Sequence, residues 1–236
     1  MLRRPRCGLL SLIWCYLVNY DSIAAVRSST TREGKIMNTS LRWCAMVSGS
    51  CTLLEHMLDE GLRPHLILAD RVQGCRAAEL ADKYDIRYEL LERTSFGSGF
   101  DRELYTGCIE EILEAHGIDF VTMVGFMTVL SPSIFLKFAG RITNNHPALL
   151  PDFKGEHAVR DALEAGVAET GCTIHVATAK LDDGPIIAQQ HVPVLTGDTE
   201  ETLHERIKQA ERPLIAQVVR ETLQGKRSLP GFALAS

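Results

Sequence analysis

Apolar positions recur along this chain in short blocks that alternate between a strand period and a helix period. Residues 41–47 (LRWCAMV) read as a buried strand running into the small polar turn Ser48-Gly49-Ser50-Cys51-Thr52, and a helix follows over about 53–60. Residues 65–69 (HLILA) predict a second strand, 75–84 a helix spaced to pack on a sheet, 87–91 a short strand and 95–99 (SFGSG) a loop. Residues 102–115 have helical periodicity, and 120–124 (FVTMV) is the continuous apolar run of a strand buried on both faces, ending at Gly125. Alternation of this length predicts a parallel sheet with right-handed crossovers and ligands gathered at the carboxyl ends of its strands. The turns 48–52, 125–130 and 144–146 all follow strands and should therefore face one crevice.

The pattern changes after residue 151. A short helix over 157–165 ends at Gly166, 172–177 (CTIHVA) alternates as a strand, and 181–185 (LDDGP) is a tight turn. Residues 186–195 form a further strand whose Pro193 places it at or near an edge. Two strands joined by a glycine-containing turn are most simply antiparallel. Asp198 with Glu201 three residues on is a capping signature for a helix over 199–207, which Pro213 either kinks or restarts through 219. The tail from Gly225 is expected to fray, and no internal repeat or coiled-coil heptad is present.

The segment 141–155 (RITNNHPALLPDFKG) stands out because its polar residues sit at the tip of a strand. Two-residue spacing points Asn144 and His146 to one face, while Pro147 and Pro151 keep the residues before them extended. An amide beside an imidazole suits acyl chemistry: the amide donates to a developing oxyanion and the histidine carries a proton. A capped loop with a surface histidine is the alternative. A carboxylate partner is available in Asp182, which would favour the imidazolium and orient the ring; equally, Asp182 could close an Asx-turn on its own backbone. His157 reads as a surface residue opening a helix, and His175 as a hydrogen-bonded core histidine.

Composition narrows the field. The net charge of −5 and the absence of any long basic run argue against nucleic acid as a partner. Seven scattered cysteines, none in a C-x-x-C pair, suit reduced thiols in the cytoplasm, and no H-x-x-x-H or H-E-x-x-H spacing supports a metal. Residues 1–36 are the misfit: Arg3-Arg4-Pro5-Arg6 and the short apolar run after it resemble a secretory signal but are too short to span a bilayer. With Met37 just ahead of the first strand, 1–36 is expected to be a non-native or disordered extension and 37–236 a single domain.

Taken together, Asn144-x-His146-Pro147-Ala148-Leu149-Leu150-Pro151, Phe153-x-Gly155-x-His157-Ala158, Gly171-Cys172-Thr173-Ile174-His175 and Leu181-Asp182-x-Gly184-Pro185-Ile186 resemble the folate-dependent formyltransferases over about 41–223. The branch acting on phosphoribosylglycinamide is the nearest in pattern. The resemblance implies a Rossmann-like α/β fold, with a mostly parallel central sheet flanked by helices and an antiparallel C-terminal part. It implies a nucleotide-binding half over about 41–140 and a catalytic and folate-binding half over about 141–223. The activity implied is transfer of a formyl group from 10-formyltetrahydrofolate, as cosubstrate, to the glycine amine of 5′-phosphoribosylglycinamide in purine synthesis, by a cytoplasmic monomer or homodimer with no metal, nucleic acid or membrane partner.

Position by position, the resemblance makes His146 the general acid/base, Asn144 the oxyanion donor and Asp182 the carboxylate behind the histidine. Arg102, Met127, Thr128, Val129, Leu130 and Asn144 would contact the folate, and Cys51, Thr52, Leu53 and Glu211 the ribonucleotide. Methionyl-tRNA formyltransferases share this core but carry a C-terminal domain for which there is no room after Gly225. Two other readings stay open. A formyltetrahydrofolate deformylase would turn the same residues on water, though such enzymes carry an N-terminal regulatory domain that residues 1–40 are too short to supply. A binding-only relative is the other. Two departures bear on these: Cys51 replaces a glycine in the phosphate turn and Leu53 an amide residue, so phosphate is expected to be held by backbone N–H groups and Thr52, more weakly than with glycine. Asn145 stands where an apolar residue or threonine is usual, and its side chain should point away from Asn144 and His146.

Overall fold

The computed structural model describes residues 41–232; the expectations for residues 1–36 and for Met37 lie outside them. Among the described residues, seven strands form one sheet in the order β3-β2-β1-β4-β5-β6-β7. They are β1 (Trp43–Val47), β2 (Leu66–Ala69), β3 (Tyr88–Leu90), β4 (Phe120–Val124), β5 (Ile142–His146), β6 (Glu169–Val176) and β7 (Ile186–Pro193). The first five are parallel, whereas β5–β6 and β6–β7 pair antiparallel. The chain runs outward from β1 through β2 to β3 and then returns to the other side of β1 at β4. The strand order therefore reverses between β1 and β4, and a crevice opens there at the carboxyl ends.

Helices cover both faces: α1 (Thr52–Asp59), α2 (Ala77–Tyr84), α3 (Arg102–Ala115), α4 (Pro132–Lys137), α5 (Ala158–Glu164) and α6 (Glu200–Leu223). Alternation along β1 sorts the core into two layers. Trp43, Ala45 and Val47 pack with Leu54, Met57, Leu80, Ile215 and Val219 of α1, α2 and α6. Cys44 and Met46 face the other way, into Ile109 and Leu113 of α3 and Ile134 of α4. All five β1 residues are buried, which is why the strand shows a continuous apolar run rather than an alternating one.

Several elements depart from the sequence expectation. The helix α4 has no counterpart in the sequence pattern, and Gly97–Gly99 in the expected loop makes a 3₁₀ turn. The cap of α6 is Thr199, in a reciprocal box with Thr202, and not Asp198; the Asp198 carboxylate instead accepts from the Leu195 N–H and pairs with Arg206 at 2.7 Å. The helix α6 also runs unbroken through Pro213. Proline inside a helix costs about 3 kcal/mol. Against that, Leu203, Ile207, Ile215, Val218 and Val219 are all buried on either side of it, each worth roughly 1.5–3 kcal/mol. The segment after Gly225 is not frayed throughout, because Leu229 is buried in the α6 layer.

Candidate active site

The polar tip expected of β5 is part of the strand itself, and strand alternation divides its three residues between the two faces. Asn144 and His146 share the α3/α4 face with Ile142, and Asn145 points to the α6 face. Antiparallel pairing with β6 sets His175 opposite Asn144 and Thr173 opposite His146. The Thr173 hydroxyl donates to the Ala148 carbonyl at 2.7 Å and accepts from the Leu150 N–H at 3.0 Å. The segment after His146, with its cis Leu150–Pro151 peptide, is thereby fastened to β6.

Four side chains converge. His146 is 4% exposed; its Nε2–H donates to the Phe153 carbonyl at 2.8 Å, and its Nδ1 lies 3.5 Å from Asp182 Oδ2. Asp182 Oδ2 also accepts from the Gly155 N–H at 2.9 Å, while Oδ1 lies 3.6 Å from His175 Nε2. The Asp182 side chain thus bonds across the site rather than closing an Asx-turn. Burial alone would raise its carboxyl above the usual range. The His175 side chain, the Gly155 N–H and the charges of both histidines outweigh that effect and hold it lowered.

His175 is the member whose part the sequence did not reveal. It is a buried, hydrogen-bonded histidine as expected, but only one nitrogen is used up by the backbone: Nδ1 donates to the Val176 carbonyl at 3.0 Å. With the ring protonated, Nε2 carries a hydrogen toward Asp182 Oδ1; with the ring neutral, Nε2 is an acceptor 3.3 Å from the Asn144 amide nitrogen. One Asn144 N–H is then engaged and the amide plane fixed, with the second N–H available to a ligand. His157, by contrast, is an exposed residue at the start of α5 with no capping bond from its side chain.

The turns beside this cluster are tied to one another. The Met127 N–H donates to Ser48 Oγ at 2.8 Å, and Thr128 Oγ1 donates to the buried Asp70 at 2.7 Å. Along the loop after β4, Met127 and Val129 are exposed whereas Thr128 and Leu130 are buried. A ligand there meets two apolar side chains and the backbone. Arg102 is exposed at the first position of α3.

At the turn after β1, Cys51 adopts the left-handed conformation at φ 57° and leaves the first N–H groups of α1 without a side-chain cap. Those groups and the positive end of the helix are a ready site for an anion. Thr52 opens the helix half-buried, but Leu53 is turned into the core, so only its backbone can reach a ligand. On the opposite side of β5, the Asn145 amide donates to Glu211 at 2.9 Å, away from Asn144 and His146 as expected. Burial, opposed by that bond and by Lys208, raises the Glu211 carboxyl to about 7.

Comparison with known proteins points to one family. The profile of the family described as Formyl transferase matches residues 44–219. The phosphoribosylglycinamide formyltransferase of Mycobacterium tuberculosis is 44% identical over 181 residues, covering 75% of this chain and 83% of the relative. The trifunctional purine biosynthetic protein adenosine-3 of Gallus gallus is 37% identical over 187 residues, 76% of this chain but 18% of that longer protein. Among solved structures, glycinamide ribonucleotide transformylase 1 from Symbiobacterium toebii superposes with a TM-score of 0.74 at 34% identity, covering 84% of this chain and 94% of that one. By that profile match and by those relatives, the chain belongs to the formyl transferase family.

Proposed function

We propose that this enzyme transfers the formyl group of 10-formyltetrahydrofolate to the glycine amine of 5′-phosphoribosylglycinamide, yielding formylglycinamide ribonucleotide and tetrahydrofolate. The observation that carries the reading is the convergence of Asn144, His146 and Asp182 at the carboxyl end of β5, in the crevice that also receives an anion-suited turn. The folate supplies an activated formyl group on a nitrogen that leaves readily once protonated. The protein's part is positioning, proton transfer and stabilisation of charge on oxygen.

In this reading the α1 N-terminus and Thr52 hold the phosphate, Glu211 accepts from the ribose hydroxyls, and the loop over 127–130, with Arg102, holds the folate. The Asn144 N–H not engaged by His175 donates to the formyl oxygen as the amine adds to its carbon. His146 takes the amine proton and delivers it to the departing folate nitrogen, and Asp182 stabilises the imidazolium between those events. Both ring nitrogens of His146 face acceptors in the free enzyme, so one contact, that to the Phe153 carbonyl or that to Asp182, is exchanged for substrate.

The test is release of tetrahydrofolate from 10-formyltetrahydrofolate, followed spectrophotometrically with and without phosphoribosylglycinamide. Release only with the amine is the expected result. Release without it would assign a deformylase, and no release in either case would leave a binding protein.

A further inference from the structure

The turn that replaces a glycine with Cys51 also places a second sulfur beside it. Cys51 Sγ lies 3.9 Å from Cys75 Sγ, and both are free thiols. They come from different segments: Cys51 precedes α1, while Cys75 lies in the loop between β2 and α2. The two segments are braced together. The Arg76 N–H donates to the Gly49 carbonyl at 3.3 Å, and the Arg76 guanidinium grips both oxygens of Glu55 on α1 at 2.7 and 3.1 Å. The approach of the sulfurs is therefore built into the frame of the crevice.

The two thiols are not equivalent. Cys75 is partly exposed, and Cys51 is 6% exposed. The hydrogen bond from the Cys51 thiol, aided by the Ala77 N–H and opposed by burial, lowers Cys75 to about 6. The same bond, together with burial, pushes Cys51 up. Cys51 has one proton to divide between Cys75 and the Gly49 carbonyl, 3.0 Å away. Cys75 is thus the more exposed and more acidic thiol and Cys51 the buried partner behind it, the division of labour found in oxidisable dithiols.

We propose that Cys51 and Cys75 are an oxidation site: a peroxide converts them to an intramolecular disulfide that displaces the phosphate turn. The Cys75 thiolate attacks one peroxide oxygen, the O–O bond breaks, and hydroxide leaves to be protonated to water, giving a sulfenic acid. The Cys51 sulfur then attacks the Cys75 sulfur; the S–O bond breaks, and the departing hydroxide takes up the Cys51 proton as a second water. Two thiols and one hydrogen peroxide become one disulfide and two waters. A disulfide requires about 2.05 Å between sulfurs, so Cys51 or Cys75 must move to close the gap of 3.9 Å. Cys51 is the residue whose backbone opens the anion site, and its displacement weakens ribonucleotide binding. The dithiol stands on the geometry alone; its effect on binding rests on the function proposed above.

Full-length protein is treated with hydrogen peroxide, remaining thiols are alkylated, and the digest is mapped by mass spectrometry. KM for phosphoribosylglycinamide is measured before oxidation, after it and after dithiothreitol. The expected result is a cross-linked Cys51–Cys75 peptide and a KM raised on the order of tenfold, both reversed by dithiothreitol. Cys75→Ser, which leaves the phosphate turn untouched, should keep the activity of the reduced enzyme and lose the response. Alkylated Cys51 with Cys75 oxidised to the sulfinic acid, a cross-link that leaves KM unchanged, or the same KM rise in Cys75→Ser would each overturn the proposal. If the reduced enzyme does not formylate the ribonucleotide, the functional reading falls while the peptide map still decides the dithiol.

Discussion

At the scale of single residues, Asn144 and His175 carry the sharpest consequences. Removing one oxyanion donor in an acyl-transfer site lowers kcat by about 10²–10³. Asn144→Ala is expected to fall in that range with little change in either KM; a kcat within a few-fold of the wild type would remove the amide from the mechanism. In its neutral form His175 acts through Asn144, because its Nε2 accepts one amide N–H with the two nitrogens 3.3 Å apart. A histidine that only filled the core would lower thermal stability when replaced and leave kcat per folded molecule alone. His175→Ala is expected instead to reduce kcat at unchanged KM, with partial recovery in His175→Gln, whose side-chain oxygen can accept the same N–H. The two-residue spacing of Asn144 and His146 was legible because one strand dictates it. The place of His175 was not, because it depends on the register between two strands, which no local pattern carries.

At the scale of elements, the turn that presents Asp182 depends on a glycine. Gly184 packs so closely on β6 that an added Cβ would come 1.7 Å from the Val176 carbonyl oxygen. Gly184→Ala must push the turn outward and carry Asp182 away from both histidines. The loss of kcat should approach 10²-fold, as for a misplacement of about 1 Å in a catalytic group, while the ribonucleotide KM changes little. A Gly184→Ala enzyme that is folded by circular dichroism and fully active would show that Asp182 need not be held in place. Most element types could be read from the pattern, since β1, α3 and β4 have runs of matching period. The exceptions share a cause. The six-residue α4 is too short for a periodic signal, and α6 survives Pro213 through tertiary burial that local propensity does not report. Thr199 and Asp198 are both capping residues, and only the course of the chain decides between them.

At the scale of the whole molecule, the reversal of strand order between β1 and β4 creates the crevice, and the α6 layer closes β5 from behind with an acid inside it. Glu211 is 3% exposed and meets the Asn145 amide, with Lys208 also acting on it. Its carboxyl is raised from an ordinary 4.5 to about 7. An unfolded chain releases this proton near the ordinary value, so between the two the native protein binds a proton that the unfolded chain does not. Stability from this group is therefore full below the ordinary value and drains as pH rises through about 7. The whole difference is at most roughly 3 kcal/mol. Glu211→Gln keeps an oxygen to accept from Asn145 and removes the buried charge. Its melting temperature should match the wild type near pH 5 and exceed it by several degrees near pH 8, as read by calorimetry. An equal offset at both pH values would mean that the substitution acts through packing and that no buried charge is being relieved. If Glu211 also receives the ribose hydroxyls, the variant that gains stability at pH 8 should bind phosphoribosylglycinamide less well there, because a carboxylate accepts those bonds more strongly than a neutral amide. The buried acid would then be a site at which the fold gives up stability above neutral pH and the ligand gains a partner.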